Sequence, residues 1–230
     1  MTVGEWFSVG TAVRSLRMAL RGDIGEGEAV VERCQMCAER IEEHHGHVVD
    51  LDSRRLLCTC RPCALLFDTD ASAGHYRTIP QRYLAFPEFV LDRVQWEALQ
   101  IPVGLAFFFH NSRLGRTVAC YPSPAGATES ELPIEAWENI LAANPRLRTA
   151  MPDVEAVLVA DAGAENLAPP SEDGGFACFL VPIDSCYELV GHLRMSWRGF
   201  DGGQEARERL EGFFTELRGK CRPVEVCEAR

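Results

Sequence analysis

Residues Cys34 to Cys63 read CQMCAERIEEHHGHVVDLDSRRLLCTCRPC, a stretch that holds five of the chain's ten cysteines and three of its six histidines. It contains two Cys-x-x-Cys pairs, Cys34/Cys37 and Cys60/Cys63, on either side of a segment patterned as a hairpin. A tight Cys-x-x-Cys turn points both sulfurs at one centre, and its backbone N–H groups are placed to hydrogen-bond the thiolates. Two such turns supply four sulfurs at the corners of a tetrahedron, and their separation in the chain is a recognised zinc spacing. The expectation is one zinc ion on Cys34, Cys37, Cys60 and Cys63. A single iron fits the same four sulfurs, since sulfur donors alone do not choose between the two metals. Disulfides or a redox dithiol fit less well, because nothing in the chain points to export and no thioredoxin-like βαβ pattern surrounds either pair.

Three further donors lie inside the stretch. Cys58 precedes Cys60 by two positions, and alternate residues of a strand share a face, so five sulfurs compete for four positions. The bland reading makes Cys58 a small buried hydrophobe beside the site. His45 and His47 alternate in the same way, and they either replace a sulfur, bind a second ion or hydrogen-bond the primary ligands. His44 falls on the other side of the pattern and reads as solvated.

With 230 residues the chain is long enough to bury a substantial core, and its net charge of −11 argues against a broad nucleic-acid surface. The first residues, MTVGEWFSVGTAVRSLRMALRG, interrupt their apolar positions with Arg14, Arg17 and Arg21 and do not read as a secretory leader. The longest apolar run, Val103 to Phe109, is too short to span a bilayer. A cytoplasmic location is expected, where cysteines stay reduced and serve metals.

Taken in order, a short amphipathic helix over Thr11–Arg21 and a glycine-containing link fill residues 1–30. A cysteine-rich metal module follows at 31–70, with strands at His47–Leu51 and Arg55–Cys60 around the turn Asp52-Ser53-Arg54. The apolar run Ala64 to Phe67 is expected to pack this module onto the body, and Ala71 to Phe89 reads as irregular. The α+β body, 71–220, begins with a short helix capped by Asp92 and a strand at Val103–Phe109 paired with Arg116–Tyr121. A helix follows from about Pro133 to Ala143, then strands at Val154–Ala160 and Ala177–Ile183, and two final helices through Trp197 and from Gln204 to Leu217. Residues 221–230 read as a loose tail. The fold class is α+β: a small zinc-ribbon-like module docked on an antiparallel sheet with C-terminal helices.

Outside the module, Tyr121 to Ser130 reads as a Pro/Gly-rich loop whose backbone N–H groups and the side chains of Ser123, Thr128, Glu129 and Ser130 would face an anion. Its alternative is a rigid connection. Cys120, Cys178 and Cys186 read as core thiols, and the aromatic turn Trp197 to Gly203 as a partner surface or helix packing. Glu188 and His192 share a helical face, a pairing more often a surface contact than an acid/base couple. Neither Gly-x-Ser-x-Gly nor His-Glu-x-x-His occurs, so the reading leans away from an enzyme.

The two Cys-x-x-Cys pairs, His47-Val48-Val49-Asp50, Leu57 to Cys63, Ala106 to Phe109, YPSPAGATES (Tyr121–Ser130) and WRGFDGG (Trp197–Gly203) together resemble an uncharacterised family. Its genes accompany actinobacterial-type high-affinity nickel-iron hydrogenases. The resemblance covers about Val31 to Leu217. It implies an auxiliary role in making or serving the hydrogenase, through contacts with a subunit or a maturation factor. A rubredoxin-like electron carrier is the alternative, and a small-ligand protein or enzyme using the Tyr121–Ser130 loop is a second.

Overall fold

The computed structural model describes residues 32–68, 74–131, 133–161, 175–196 and 203–223. The expected N-terminal helix at Thr11–Arg21 and the aromatic turn Trp197–Gly202 lie outside the described residues. The chain divides into two compact units between Ile79 and Pro80.

The first unit is built on a three-stranded antiparallel sheet. Its strands are β1 (Gly46–Asp50), β2 (Arg55–Thr59) and β3 (Tyr76–Thr78), in the order β2-β1-β3. The β1–β2 turn forms because the Asp50 carboxylate accepts the Asp52 and Ser53 N–H groups at 3.0 and 3.2 Å and the Ser53 hydroxyl at 2.6 Å. Arg54 closes it with φ +55°. Among the described residues of this unit, Cys34, Val48, Val49, Leu51, Thr59, Ala64 and Ile79 are buried. After β2 comes the five-residue helix α1 (Arg61–Leu65), with Pro62 in its first turn, where a missing N–H costs nothing. Phe67 packs on Tyr76, with ring centroids 5.2 Å apart. Leu65 and Leu66 are 58 and 63 % exposed.

In the second unit the runs of consecutive apolar residues in its three central strands, at 105–109, 156–160 and 176–182, have a simple cause: helices cover both faces of the sheet. Beyond β4 (Leu84–Ala85) and α2 (Arg93–Ala98) lie β5 (Leu105–Asn111), β6 (Arg116–Ser123), β7 (Gly126–Ser130), α3 (Ile134–Ala143), β8 (Glu155–Asp161), β9 (Phe176–Pro182), α4 (Ile183–Ser196), α5 (Gly203–Lys220) and β10 (Arg222–Pro223). The sheet order is β10-β4-β9-β8-β5-β6-β7, antiparallel throughout except for β10 beside β4. On one face Ala106, Phe108, Ala119, Val157, Val159 and Leu180 meet Trp96 of α2 and Trp137 and Ile140 of α3. Phe108 stacks on Trp137 at 4.1 Å between centroids. On the other, Phe107 meets Tyr187 of α4 edge-on at 5.6 Å and Phe179 meets Phe214 of α5 at 6.1 Å. The Asp92 cap forms as expected: its carboxylate accepts the Gln95 N–H at 2.7 Å while the Gln95 side chain accepts the Asp92 N–H at 3.0 Å.

Three expectations change. Ala71 to Phe89 holds two short strands, β3 and β4, where irregular chain was expected. Residues 222–223 of the expected loose tail pair with β4 as strand β10. Tyr121 to Ser130 is a hairpin instead of a loop, with Tyr121 opposite Thr128 and Ser123 opposite Gly126 around the turn Pro124-Ala125. Pro122 is tolerated in β6 because pairing with β5 ends at Cys120, so that stretch of strand has only one neighbour.

The ends of β8 carry buried carboxylates that the sequence pattern did not single out. Glu155 is fully buried; Arg82 grips it through two bonds, at 2.7 and 2.5 Å, and the Met151 N–H adds a third at 2.8 Å. Asp161 at the other end pairs with Arg93 at 2.5 Å. No helix among the described residues is long and apolar enough to cross a membrane.

Candidate metal centre

The first Cys-x-x-Cys turn is the tip of a small hairpin that Arg33 and Arg40 join as a bridge pair. The Cys34 N–H donates to the Glu39 carbonyl at 2.7 Å and the Ala38 N–H to the Cys34 carbonyl at 2.9 Å, while Ala38 takes φ +63° to make the bend. The second turn is the junction of β2 and α1. Cys60 is extended and caps the helix, and one turn brings Cys63 back toward it.

Gln35 joins the two turns. β2 is an edge strand, and its outward-facing groups at Cys58 are both satisfied by this one residue: the Gln35 N–H donates to the Cys58 carbonyl at 2.8 Å, and the Cys58 N–H donates to Gln35 Oε1 at 2.7 Å. An amide between the cysteines of the first pair is the signal that would have revealed this contact in the sequence.

As a result the sulfurs of Cys34, Cys37, Cys60 and Cys63 all lie within 4.8 Å of one another. Tetrahedral zinc thiolates at a bond length of about 2.3 Å put neighbouring sulfurs about 3.8 Å apart, and the Cys37–Cys60 separation is 3.6 Å. A disulfide needs about 2.05 Å, so the cysteines are free thiols converging on one point. Cys34 is buried and Cys37 is exposed, which places the cage at the module's surface.

The electrostatics of the cage are uneven. Burial pushes the Cys34 thiol up, but the backbone N–H groups of Cys60, Cys37 and Met36 and the Cys37 thiol outweigh it and bring it down to about 6. The Glu39 N–H pulls the Cys37 thiol down, and the neighbouring sulfurs of Cys34 and Cys60 raise it on balance. Cys63, hydrogen-bonded to the sulfurs of Cys60 and Cys37, is pushed up to about 12. Of Cys34, Cys37 and Cys63, Cys34 is therefore the most readily ionised, and a cation in the centre takes the place of thiol protons. The donor set and its spacing fit a tetrahedral ion.

Cys58 does not join this cage. Its sulfur lies with His45 and His47 in a second group, whose ligand atoms are also within 4.8 Å of one another. Elsewhere, Cys120, Cys178 and Cys186 are buried in the body, as expected of core thiols. In the Tyr121–Ser130 hairpin the Ser123 and Thr128 hydroxyls bond each other at 2.8 Å, Ser123 also bonds the Gly126 carbonyl at 3.1 Å, Glu129 pairs with Arg116 at 2.8 Å, and Ser130 is buried.

A zinc-ribbon-like four-cysteine module and an α+β body with helices on both faces of an antiparallel sheet define the class of protein. Within that class the chain belongs to a family of unknown function, DUF5947, whose model matches residues 33–221. No curated protein and no solved structure matches it.

Proposed function

We propose that the protein is a metal-binding accessory protein, in which a zinc ion held by Cys34, Cys37, Cys60 and Cys63 keeps a protein-contact module in shape. The convergence of four sulfurs within 4.8 Å carries the metal assignment. An ion there supplies a crosslink between the two Cys-x-x-Cys turns that the module's few buried side chains do not provide. The contact role is supported by Leu65 and Leu66, exposed apolar residues that follow Cys63 directly. The partner in this reading is a subunit or maturation factor of a nickel-iron hydrogenase in the cytoplasm. That assignment rests on the sequence resemblance alone, and the reading is of a binding protein, not a catalyst.

The test is metal content and an absorption spectrum on untagged protein purified without added metal, beside Cys60→Ser. About one colourless zinc per chain in this cage, lost in the variant, is expected. Iron with thiolate charge-transfer bands would make the protein a rubredoxin-like electron carrier, and no metal in the cage would sink the assignment. For the partner, affinity capture from hydrogenase-producing cells with wild type and a Leu65→Ser/Leu66→Ser variant should recover the hydrogenase component with the first and lose it with the second. Capture that the double variant leaves intact would remove the leucines from the contact.

A further inference from the structure

We propose that His45, His47 and Cys58 form a second metal site, separate from the four-cysteine cage, for a borderline divalent transition metal of the zinc class. The argument starts from the strand register. His47 lies opposite Cys58 across β1 and β2. Both backbone groups of Cys58 bond outward to Gln35, and the His47 carbonyl accepts the Ile79 N–H on the far side of β1 at 3.0 Å. The two residues are therefore a non-hydrogen-bonded pair, the kind whose side chains approach most closely, with Cα atoms about 4.5 Å apart.

His45 completes the group from the residue just before β1, two positions ahead of His47, and the ligand atoms of all three residues lie within 4.8 Å of one another. The two imidazole rings lie 4.8 Å apart between centroids. Gly46 between them is held close to α1: an added Cβ would come 3.4 Å from the Ala64 Cβ, and the Thr59 hydroxyl donates to the Gly46 carbonyl at 3.1 Å.

The decisive observation is the state of the His45 ring. Its side chain is 8 % exposed, and Nδ1 is 2.8 Å from the Glu42 carbonyl. A carbonyl only accepts, so Nδ1 carries the proton and, in the neutral ring, Nε2 carries a lone pair. That Nε2 is buried with no hydrogen-bond partner among the described residues. A buried nitrogen of this kind is costly unless something occupies it. A metal-ligating histidine is commonly oriented in this way, by a backbone carbonyl on the opposite nitrogen. Glu32 Oε2, 3.9 Å from Nδ1, adds negative charge behind the ring.

Two imidazoles and one thiolate suit zinc and its cobalt substitute, and binding displaces the Cys58 thiol proton. No fourth His, Cys, Asp or Glu belongs to the group among the described residues, which leaves one coordination position for water or an incoming ligand. The four-cysteine cage offers no such position. The open site is the part of the module able to take an exogenous donor group.

Cobalt(II) tests the proposal, because its spectrum separates a four-thiolate site from a one-thiolate site. Metal-depleted, reduced full-length protein is titrated anaerobically and desalted. Two retained equivalents per chain are expected, one with the intense charge transfer of four thiolates and one with a weaker, nitrogen-shifted spectrum. His45→Gln and Cys58→Ser should each retain one equivalent, with the four-thiolate spectrum unchanged. One equivalent in the wild type, or two in both variants, would overturn the second site and leave the four-cysteine cage standing. Loss of the four-thiolate spectrum in the wild type would fall on that cage alone. Circular dichroism of each variant excludes misfolding as the cause, and the near-isosteric Cys58→Ser keeps the test open if His45→Gln does not fold.

Discussion

Gln35 connects the chemistry of the module to its fold, since one residue between two cage cysteines satisfies both outward groups of Cys58. Residues that orient ligands from outside a metal's coordination sphere typically govern 10- to 100-fold of its affinity. Gln35→Ala should therefore weaken zinc binding by about tenfold, measured by chelator competition, while Gln35→Glu, which keeps the acceptor, should recover most of it. In the body, Glu155 depends on Arg82 in a similar way. Breaking a buried ion pair from one side leaves an uncompensated charge and costs about 3–5 kcal/mol. Arg82→Ala should lower unfolding free energy by that amount in urea, and adding Glu155→Leu should return a large part of it. Equal losses in the single and double variants would show that the ion pair was not the cause. The buried thiols set a pH limit on the body. Burial pushes Cys120 up to about 12 and raises Cys178 and Cys186 well above the ordinary thiol value. In the unfolded chain these thiols ionise near pH 8.5, so above that pH the unfolded state binds fewer protons and stability falls, by about 1.4 kcal/mol per pH unit for each thiol. Stability of the body should be level through neutral pH and decline above about pH 9, and Cys178→Ala should flatten the decline.

At the scale of elements, legibility in the sequence followed length and local chemistry. Asp92 announces α2 because an N-cap is a local contact, and the structure adds Gln95, three residues on, to complete a capping box with both of its bonds. Asp92→Ala should cost about 1 kcal/mol, read as a shift in the urea midpoint at constant slope. The apolar run of β5 was recognisable as a strand because burial on both faces removes any need for polar alternation. The short strands β3, β4 and β10 were not, since two or three residues carry no period and their pairing is set by chain far away. The β6–β7 hairpin was misread because Pro122, Pro124 and Gly126 have loop composition. What decides their role is the point at which β5 stops pairing, and that is a tertiary fact. In the metal module the spacing revealed the cage, but not the partition of its five sulfurs. Strand alternation places Cys58 and Cys60 alike only while the strand continues. β2 ends at Thr59, so Cys60 turns into α1 and Cys58 is left beside His47.

Across the whole molecule, the two units are held by different physics. The body closes a seven-stranded sheet between two layers of helices, and side chains such as Phe107, Phe108, Leu158, Leu180 and Phe214 are fully buried. Among the described residues, the first unit has a three-stranded sheet and a handful of buried side chains. A core of that size rarely repays the loss of chain entropy unless a crosslink is added. Metal removal should therefore act on one unit and spare the other. With excess chelator under reducing conditions, hydrogen exchange is expected to accelerate by orders of magnitude at the amides of β1 and β2, because coordination free energy there is folding free energy. The amides of β5, β8 and β9 should keep their protection, and the body should still unfold in one cooperative step. Readdition of zinc should restore protection in β1 and β2. Unchanged exchange in those strands after complete metal removal would show that the hairpin is held by its own side chains and turn, and would reduce the ion from a structural crosslink to a bound passenger.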